Sequence, residues 1–289
     1  MTSDVAIAPG AGRTRGAAER EAGAVPLLFR IIAVITFIYL LVPAVIVVLA
    51  GLNSGNYLTF PPQGLSLKWV QSFLTSETFL PAYLYSLRLA FLTMIVSTLI
   101  GTMTAIFLTR VAFPGRGLVR AFFLAPLLLP GLVIGLALYV YYLNLPFLPL
   151  SRTFWGMLVG HILVTLPFVI GTVSASLYGF DISLEEAARS LGSGPVRAFM
   201  TVTFPNIKAG ITAGSLFAFI VSFGQFDLSL MLSTPNNTPL PFAMYSSLRY
   251  QFEPTSAAAG TFAIALVVVS MILTSRLTNL SKFGGIKFT

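Results

Sequence analysis

The sequence predicts an all-α integral membrane protein with six transmembrane helices. Hydrophobic residues make up 56% of the 289-residue chain and charged residues only 9%, and the mean hydropathy is +0.89, so a soluble domain is excluded. Six apolar runs are each long enough to cross about 30 Å of hydrocarbon as a helix. Basic residues concentrate in alternate connections, as they do on the cytoplasmic side of membrane proteins.

The six spans are separated by shorter polar connections. Pro126, Pro130 and Pro167 lie inside the third and fourth spans, where we expect them to kink the helices. The first span follows Arg30, and a signal peptide is the alternative reading. A retained span is favoured, because the run exceeds the roughly 7 to 15 apolar residues of a signal peptide and no small-residue cleavage site closes it. The predicted spans are approximately residues 31–52, 86–109, 121–143, 154–177, 209–232 and 257–277.

The basic residues predict the orientation of the bundle. Of the 17 Lys and Arg residues, all but four fall in the two terminal segments and in the connections after the second and fourth spans. The positive-inside rule assigns this face, and with it both termini, to the cytoplasm. The four on the other face are Lys68, Arg88, Arg152 and Arg249. Because the basic residues are scattered between apolar runs, the net charge of +8 does not indicate a nucleic-acid interface.

The predicted spans and their orientation also define the domains and the outward segments. The aromatic-rich outward segment at 51–85 is expected to carry an interfacial helix near 67–73. Two further outward segments, 144–153 and 233–255, are rich in Pro and Asn and are expected to form turns. The domains are a flexible cytoplasmic N-terminal tail at 1–26, a six-helix membrane domain at 27–280 and a cytoplasmic C-terminal tail at 281–289.

The residues and motifs that several kinds of metal site and active site require are missing from this sequence. There is no cysteine, which excludes thiolate metal sites, and the sole histidine, His161, has no second ligand on its helix face. No phosphate-binding G-x-x-x-x-G-K-[ST] loop, paired carboxylates or nucleophile elbow occurs. We therefore predict a protein that is not an enzyme and binds no metal or cofactor.

One cytoplasmic connection carries an unusual concentration of charge. Residues 181–205, called the knob below, hold three acidic and two basic residues. Ser183 and Glu186 have the spacing of a capping box, so Ser183 is expected to cap a short amphipathic helix. One face of that helix is formed by Leu184, Ala187, Ala188 and Leu191, and the small alanines are expected on the inner face of the knob.

The rest of the knob predicts a turn and a second short helix. Gly192 stands where the first helix needs a left-handed residue to end. A second helix is expected to start at Pro195, because proline suits the first turn. We expect Pro205 to interrupt it.

The knob resembles the EAA loop of permease subunits of ATP-binding-cassette importers. From Glu186 it reads Glu-Ala-Ala, three residues, Gly192, nine residues and Val-Thr-Phe-Pro, where the family has Ile-x-Leu-Pro. The resemblance implies the type I importer permease architecture and makes residues 178–208 the loop that couples to a cytoplasmic ATPase. An amphipathic helix on the inner leaflet is the alternative, to which adjacent Glu and Ala residues are poorly suited. The residues that the resemblance assigns to coupling are Glu185, Glu186, Ala187, Ala188, Arg189, Gly192 and Pro205.

Within these importers the chain is most similar to the spermidine/putrescine group. The similarity lies in residues 223–227 of the fifth span and in residues 238–241 and 244–249 outside it. Gly224 and Gln225 stand where many relatives have an acidic pair. The similarity implies that the transported solute is a polyamine or another small polar molecule.

Polar residues inside the spans are candidates for the solute path. Asp227 is the only acidic residue within a predicted span, where a charge costs about 3 kcal/mol. It either attracts a cationic solute, pairs with Arg88 or Arg249, or is solvated near the outer interface. Gln225 and Ser222 either line the path or join neighbouring helices, and His161 is expected to make an interhelical hydrogen bond.

The resemblance also implies the partners. These are the lipid bilayer of the bacterial inner membrane, two copies of an ATPase that hydrolyses ATP with Mg²⁺, a second permease subunit and a solute-binding protein that docks on the outward segments. An ATP-independent carrier or channel is the rival function, and it requires inverted repeats, broken helices or paired ionisable residues. A purely structural scaffold is the third, and it predicts that the knob tolerates substitution.

Overall fold

The computed structural model describes residues 15–57, 59–145, 147–235, 237–250 and 253–278. Within these ranges the chain is helical and forms no β-strand, and its only β-type pairs are the isolated bridges Asn53–Leu65 and Thr234–Asn237. The all-α prediction is confirmed. The helices in chain order are α1 (Arg15–Gly51), α2 (Lys68–Thr75), α3 (Phe79–Arg110), α4 (Arg116–Leu124), α5 (Gly131–Leu143), α6 (Phe154–Tyr178), α7 (Ser183–Ser190), α8 (Pro195–Ala198), α9 (Phe204–Phe223), α10 (Asp227–Leu232), α11 (Leu240–Tyr250) and α12 (Thr255–Thr278).

Five described helical segments are long and apolar enough to cross a membrane, and a bent pair of helices provides a sixth. The pair consists of Arg116–Leu127 and Gly131–Leu143, whose axes meet at 103°. The third predicted span is therefore broken at its prolines, since Pro126 lies in a short 3₁₀ turn and Pro130 precedes α5. Pro167, by contrast, lies inside the uninterrupted helix α6.

The first helix extends further toward the N-terminus than the predicted span. It begins at Arg15, because the Ala, Glu and Arg residues that precede the apolar run are good helix formers. Residues 1–14 and the predicted C-terminal tail at 281–289 lie outside the described residues.

Three helices, α3, α6 and α9, form the centre of the bundle. Polar side chains join them: Ser97 and Thr165 share a 2.7 Å hydrogen bond between α3 and α6, and His161 Nδ1 lies 2.8 Å from Ser222 Oγ between α6 and α9. All four side chains are buried. The interhelical role predicted for His161 is confirmed.

Small residues allow these helices to approach closely. A side-chain carbon at Gly101 of α3 would lie 2.8 Å from Val169 of α6, and one at Gly214 of α9 would lie 3.1 Å from the Val169 Cα. Gly210, one turn before Gly214, faces Thr172 and Ser176 of α6. Gly210 and Gly214 lie four positions apart, the spacing with which small residues bring two membrane helices close together.

The end of the bundle opposite the knob is closed by two short helices. Helix α2 matches the predicted interfacial helix, and its Phe73 is fully buried against Phe262 of α12 at a ring distance of 4.5 Å. Helix α11 lies in segment 233–255, for which only turns were predicted. That prediction was wrong because prolines that suggest turns also suit the first turn of a helix, where Pro241 lies.

The fifth span differs from the prediction of one helix over 209–232. Helix α9 begins earlier, at Phe204, and ends at Phe223; three residues later the chain resumes as α10. The interruption is stabilised locally, because Ser229 Oγ donates a 2.6 Å hydrogen bond to the Gln225 carbonyl.

We expect Gly210→Ala to destabilise the bundle. The new carbon would lie 2.8 Å from the Thr172 carbonyl oxygen, so the backbones of α6 and α9 must separate at a cost of about 1 to 3 kcal/mol. Thermal unfolding of the purified protein in detergent measures the effect. Gly171→Ala is the matched control, since no atom lies within 4 Å of that site. Equal unfolding temperatures for the two variants would contradict this packing.

Candidate functional site

The knob is a helix, a turn and a second helix that merges into α9. Helix α7 ends in a Schellman motif: the Gly192 N–H donates to the Arg189 carbonyl, and the Ser193 N–H donates to the Ala188 carbonyl. Gly192 has φ = +89°, the left-handed conformation predicted for it. Helix α8 then starts at Pro195, also as predicted.

Two local predictions were wrong. Ser183 does not cap α7; it is the first helical residue, and its N–H donates a 3.0 Å hydrogen bond to the Asp181 side chain. That bond holds the pKa of the exposed Asp181 carboxyl below its usual range. Pro205 does not interrupt the second helix, because it lies in the first turn of α9, and a π-helical turn at Phe199–Thr203 connects it to α8.

The orientation of α7 is the reverse of the one expected. Its only buried side chain is Glu185, which is 7% exposed. The apolar residues point away from the bundle: Leu184 is 51% exposed and Leu191 is 88% exposed, while Ala187 is exposed and Ala188 is half-buried. An apolar face usually turns inward, but here a cation on α3 provides a stronger partner for the carboxylate of α7.

That cation is Arg110, the last residue of α3. Its guanidinium donates two hydrogen bonds to Glu185, at 2.7 Å to Oε2 and 3.2 Å to Oε1, in a bidentate ion pair. Thr203 of the π-helical turn donates to Glu185 Oε2 and accepts from Arg110 at 3.2 Å. The guanidinium also lies 5.5 Å from the centre of the Phe199 ring. Three segments of the chain therefore converge on one carboxylate.

The ionisation of Glu185 follows from this geometry. Burial disfavours the charged form, but the hydrogen bonds from Arg110 and Thr203 and the positive charge of Arg110 outweigh it, so the pKa of Glu185 lies below its usual range. The pair is charged at neutral pH. Sequence reasoning counted Arg110 only as a basic loop residue; the signal it missed is a lone arginine directly at the end of an apolar span.

A cleft of 460 Å³ lies beside this ion pair, between α7 and the ends of α3 and α6. The cleft is lined by Thr109, Arg110, Leu177, Tyr178, Phe180, Ile182, Glu185, Glu186 and Arg189.

The predicted path residues separate into two groups. Asp227 and Gln225 lie together at the interruption between α9 and α10, beside Gly131 at the start of α5. Asp227 is exposed and has no ion-pair partner among the residues that the structure describes. Ser222 is instead buried against His161 and joins two helices, the other role considered for it.

The breaks in the third and fifth spans therefore meet. A side-chain carbon at Gly131 would lie 3.0 Å from Gln225 Nε2 and 3.1 Å from Asp227 Cβ, and Gly135 contacts α10 one turn further on. Helices α5 and α10 run side by side from this point. Asp227 lies beside the start of α5, about 20 Å along that helix from its end at Leu143.

Comparison with known proteins identifies the family. Residues 97–281, more than half of the chain, match the family described as "Binding-protein-dependent transport system inner membrane component". The chain belongs to this family. This permease is 29% identical over 249 residues to the spermidine/putrescine transport system permease protein PotC of Escherichia coli K12, covering 86% of this chain and 92% of that protein. It is 28% identical over 245 residues to the putrescine transport system permease protein PotI of the same organism, covering 82% and 85% of the two chains.

Solved structures confirm the fold of the permease. It matches a chain of the bacterial alginate ABC transporter, solved in complex with an alginate pentasaccharide-bound periplasmic protein, with a TM-score of 0.68, 15% identity and coverage of 92% of this chain and 97% of that one. A chain of the MetNI methionine ABC transporter gives a TM-score of 0.59 at 15% identity, covering 71% and 98%. The predicted importer permease architecture is confirmed.

We expect Gly192→Ala to loosen the C-terminal end of α7. A side chain at φ = +89° is strained by about 1 to 2 kcal/mol, although no atom lies within 4 Å of the site. Hydrogen exchange of the α7 amides should accelerate about 5- to 30-fold. Gly194→Ala, at φ = −62° and equally open, should leave the exchange unchanged. Unchanged protection in Gly192→Ala would contradict the importance of this turn.

Proposed function

We propose that this permease imports a small cationic solute of the polyamine class and is driven by an ATPase that binds the knob. In this proposal the knob and both termini face the cytoplasm, as the distribution of basic residues indicates. The chain itself is not catalytic: two copies of a separate ATPase hydrolyse ATP with Mg²⁺, and a second permease subunit completes the path.

The outward-facing apolar side of α7 is the observation that carries the coupling proposal. Leu184 and Leu191 are exposed, and so is Val196 of α8. Burying one such side chain at an interface contributes about 1.5 to 3 kcal/mol. Glu186 and Arg189 are also exposed, but they lie on the other side of α7, where they line the cleft beside the ion pair. Ala187 allows close approach. The coupling residues Glu186, Ala187 and Arg189 thus remain available to a partner, whereas Glu185 binds within the chain.

The alternative for α7, adsorption to the inner leaflet, fits the surface less well. A helix that lies on an anionic membrane carries Lys or Arg along its polar side. Here the exposed polar residues include Asp181 and Glu186. Negative charge at the start of α7 favours a protein partner over an anionic lipid surface.

Asp227 supports the cationic nature of the solute. Its carboxylate is exposed where the two broken spans meet, and it forms no ion pair within the described residues. Gln225 adds a hydrogen-bonding group beside it. The names of PotC and PotI, which are polyamine transport permeases, support the same class. Asp227 is also the first residue of α10, where a negative charge stabilises a helix, so its role requires a direct test.

Transport would follow a cycle of alternating access. ATP binding draws the two ATPase subunits together, each knob moves with its ATPase, and the helix bundles rock between inward and outward openings. A solute-binding protein docks on segments 51–85 and 233–255, to which α2 and α11 give ordered structure. The periplasmic protein bound to the alginate transporter supports this arrangement.

The rival carrier function deserves comparison, because the broken helices it requires are present. The bundle has two interrupted spans. However, paired ionisable residues do not occur at the interruptions within the described residues, where Asp227 is unpaired. Membership in a family of binding-protein-dependent transport components favours the importer.

We expect Leu191→Asp to abolish binding of the ATPase. Placing a charge in the apolar contact should reduce co-purification of the ATPase at least about tenfold, because 1.4 kcal/mol corresponds to that factor. Leu191→Met, which keeps an apolar side chain of similar size, is the matched control and should co-purify normally. Normal co-purification of Leu191→Asp would refute the docking of α7.

We expect Asp227→Asn to reduce uptake of spermidine and putrescine by proteoliposomes. A hydrogen bond to a charged group contributes about 1.5 to 3 kcal/mol, so uptake at limiting solute should fall about tenfold or more, with assembly unchanged. Asp227→Glu keeps the carboxylate at this position and is the matched control, which should retain uptake. Wild-type uptake in Asp227→Asn would remove this residue from the path.

A further inference from the structure

We infer that Arg110 and Glu185 form a rigid linkage that passes the displacement of α7 to α3, which makes Arg110 a positioning residue for coupling. The inference rests on the proposed function, because it concerns how movement of the knob reaches the membrane bundle. It assigns a role to a residue outside the EAA pattern, and it gives Glu185 a role inside the chain instead of at the ATPase surface.

The geometry of the pair suits the transmission of movement. A bidentate guanidinium–carboxylate pair fixes both the distance and the mutual orientation of its two partners. Glu185 is 9% exposed and Arg110 is 23% exposed at the side chain, so solvent weakens the pair little. Thr203 bonds to both partners and thereby adds the start of α9 to the same linkage.

Few other contacts attach α7 to the bundle. Glu185 is its only buried side chain, and a 460 Å³ cleft lies between the rest of that face of α7 and the ends of α3 and α6. A force applied to the exposed face of α7 therefore acts on the bundle mainly through Glu185 and through the chain at either end of the helix. Removing one partner would leave a buried charge uncompensated.

Helix α3 continues the linkage to the opposite end of the bundle. It contains 32 residues, so it is about 48 Å long and spans the whole bundle. Near its far end, the buried Ser86 Oγ accepts a 2.8 Å hydrogen bond from the Leu240 N–H, at the first residue of α11. A displacement of Arg110 is thus delivered to the segment on which the binding protein is proposed to dock.

The decisive experiment replaces both partners at once. Arg110→Met combined with Glu185→Met removes the two charges together, which avoids a lone buried charge and preserves side-chain volume. The complete complex with its ATPase is reconstituted in lipid nanodiscs. Co-purification measures assembly, and stimulation of ATP hydrolysis by solute-loaded binding protein measures coupling. Arg120→Met is the control, since Arg120 lies on α4 and interacts with Tyr178, by a hydrogen bond and a cation–π contact, and not with Glu185 within the described residues.

We expect the double variant to assemble but to lose stimulation about tenfold, within the range known for residues of coupled elements. Arg110→Lys keeps the positive charge but cannot form the bidentate pair of hydrogen bonds, so it should assemble with reduced stimulation of ATP hydrolysis. Normal stimulation in an assembled double variant would overturn the linkage. If the double variant does not assemble, stimulation of ATP hydrolysis in Arg110→Lys decides instead. If neither variant assembles, the linkage is also overturned, because the pair would then only stabilise the fold.

The same measurements separate this inference from the proposed function. If binding protein stimulates the wild type and Leu191→Asp prevents assembly, the coupling function stands whatever the Arg110 variants do. If Leu191→Asp assembles and is stimulated normally, docking through α7 fails first.

Discussion

The need to pair every backbone polar group inside hydrocarbon governs this structure. Lipid offers no hydrogen bonds, so the chain crosses the bundle as helices, and each interruption requires a local replacement. Pro130 at the first break has no N–H to satisfy, and at the second break the Ser229 hydroxyl bonds to the Gln225 carbonyl. Non-helical backbone at this depth is tolerated only where it is covered by protein or lines a cavity. The meeting of two such breaks beside Asp227 therefore marks the part of the bundle least suited to lipid contact.

The same constraint explains the rigid centre. Buried hydroxyl and imidazole groups on α3, α6 and α9 bond to one another, as in the pairs Ser97–Thr165 and His161–Ser222. Close packing at Gly210 and Gly214 adds dispersion contacts that lipid tails would otherwise supply. Helices held by both kinds of contact move together, so a displacement that enters α3 at the knob is shared by the central helices.

Hydropathy was sufficient to locate the spans, because the membrane imposes their length and polarity, but it did not predict the interruption of the fifth span. The backbone conformation of one residue was also predicted from sequence: Gly192 has the left-handed conformation that its position indicated. Other features depend on contacts between distant segments. The Asp181 side chain accepts the hydrogen bond from the Ser183 N–H at the start of α7, and the break at residues 224–226 is stabilised by a serine one turn later. Asp227 and Gln225 were predicted as candidates for the solute path. The hydrogen bond between Ser222 and His161 joins residues 61 positions apart, so no local sequence pattern indicates that these two residues pair.

The reversed orientation of α7 has a physical reason, which also explains how the knob can bind two proteins at once. An amphipathic pattern identifies the apolar face of a helix but does not say whether that face meets the same chain or another one. An element that must bind two bodies can use a different interaction for each. The directional Arg110–Glu185 pair fixes the helix to its own bundle with little contact area, while Leu184 and Leu191 offer area to a partner without dictating one exact geometry. A carboxylate turned inward and leucines turned outward are therefore the arrangement expected of a helix that transmits movement between two proteins.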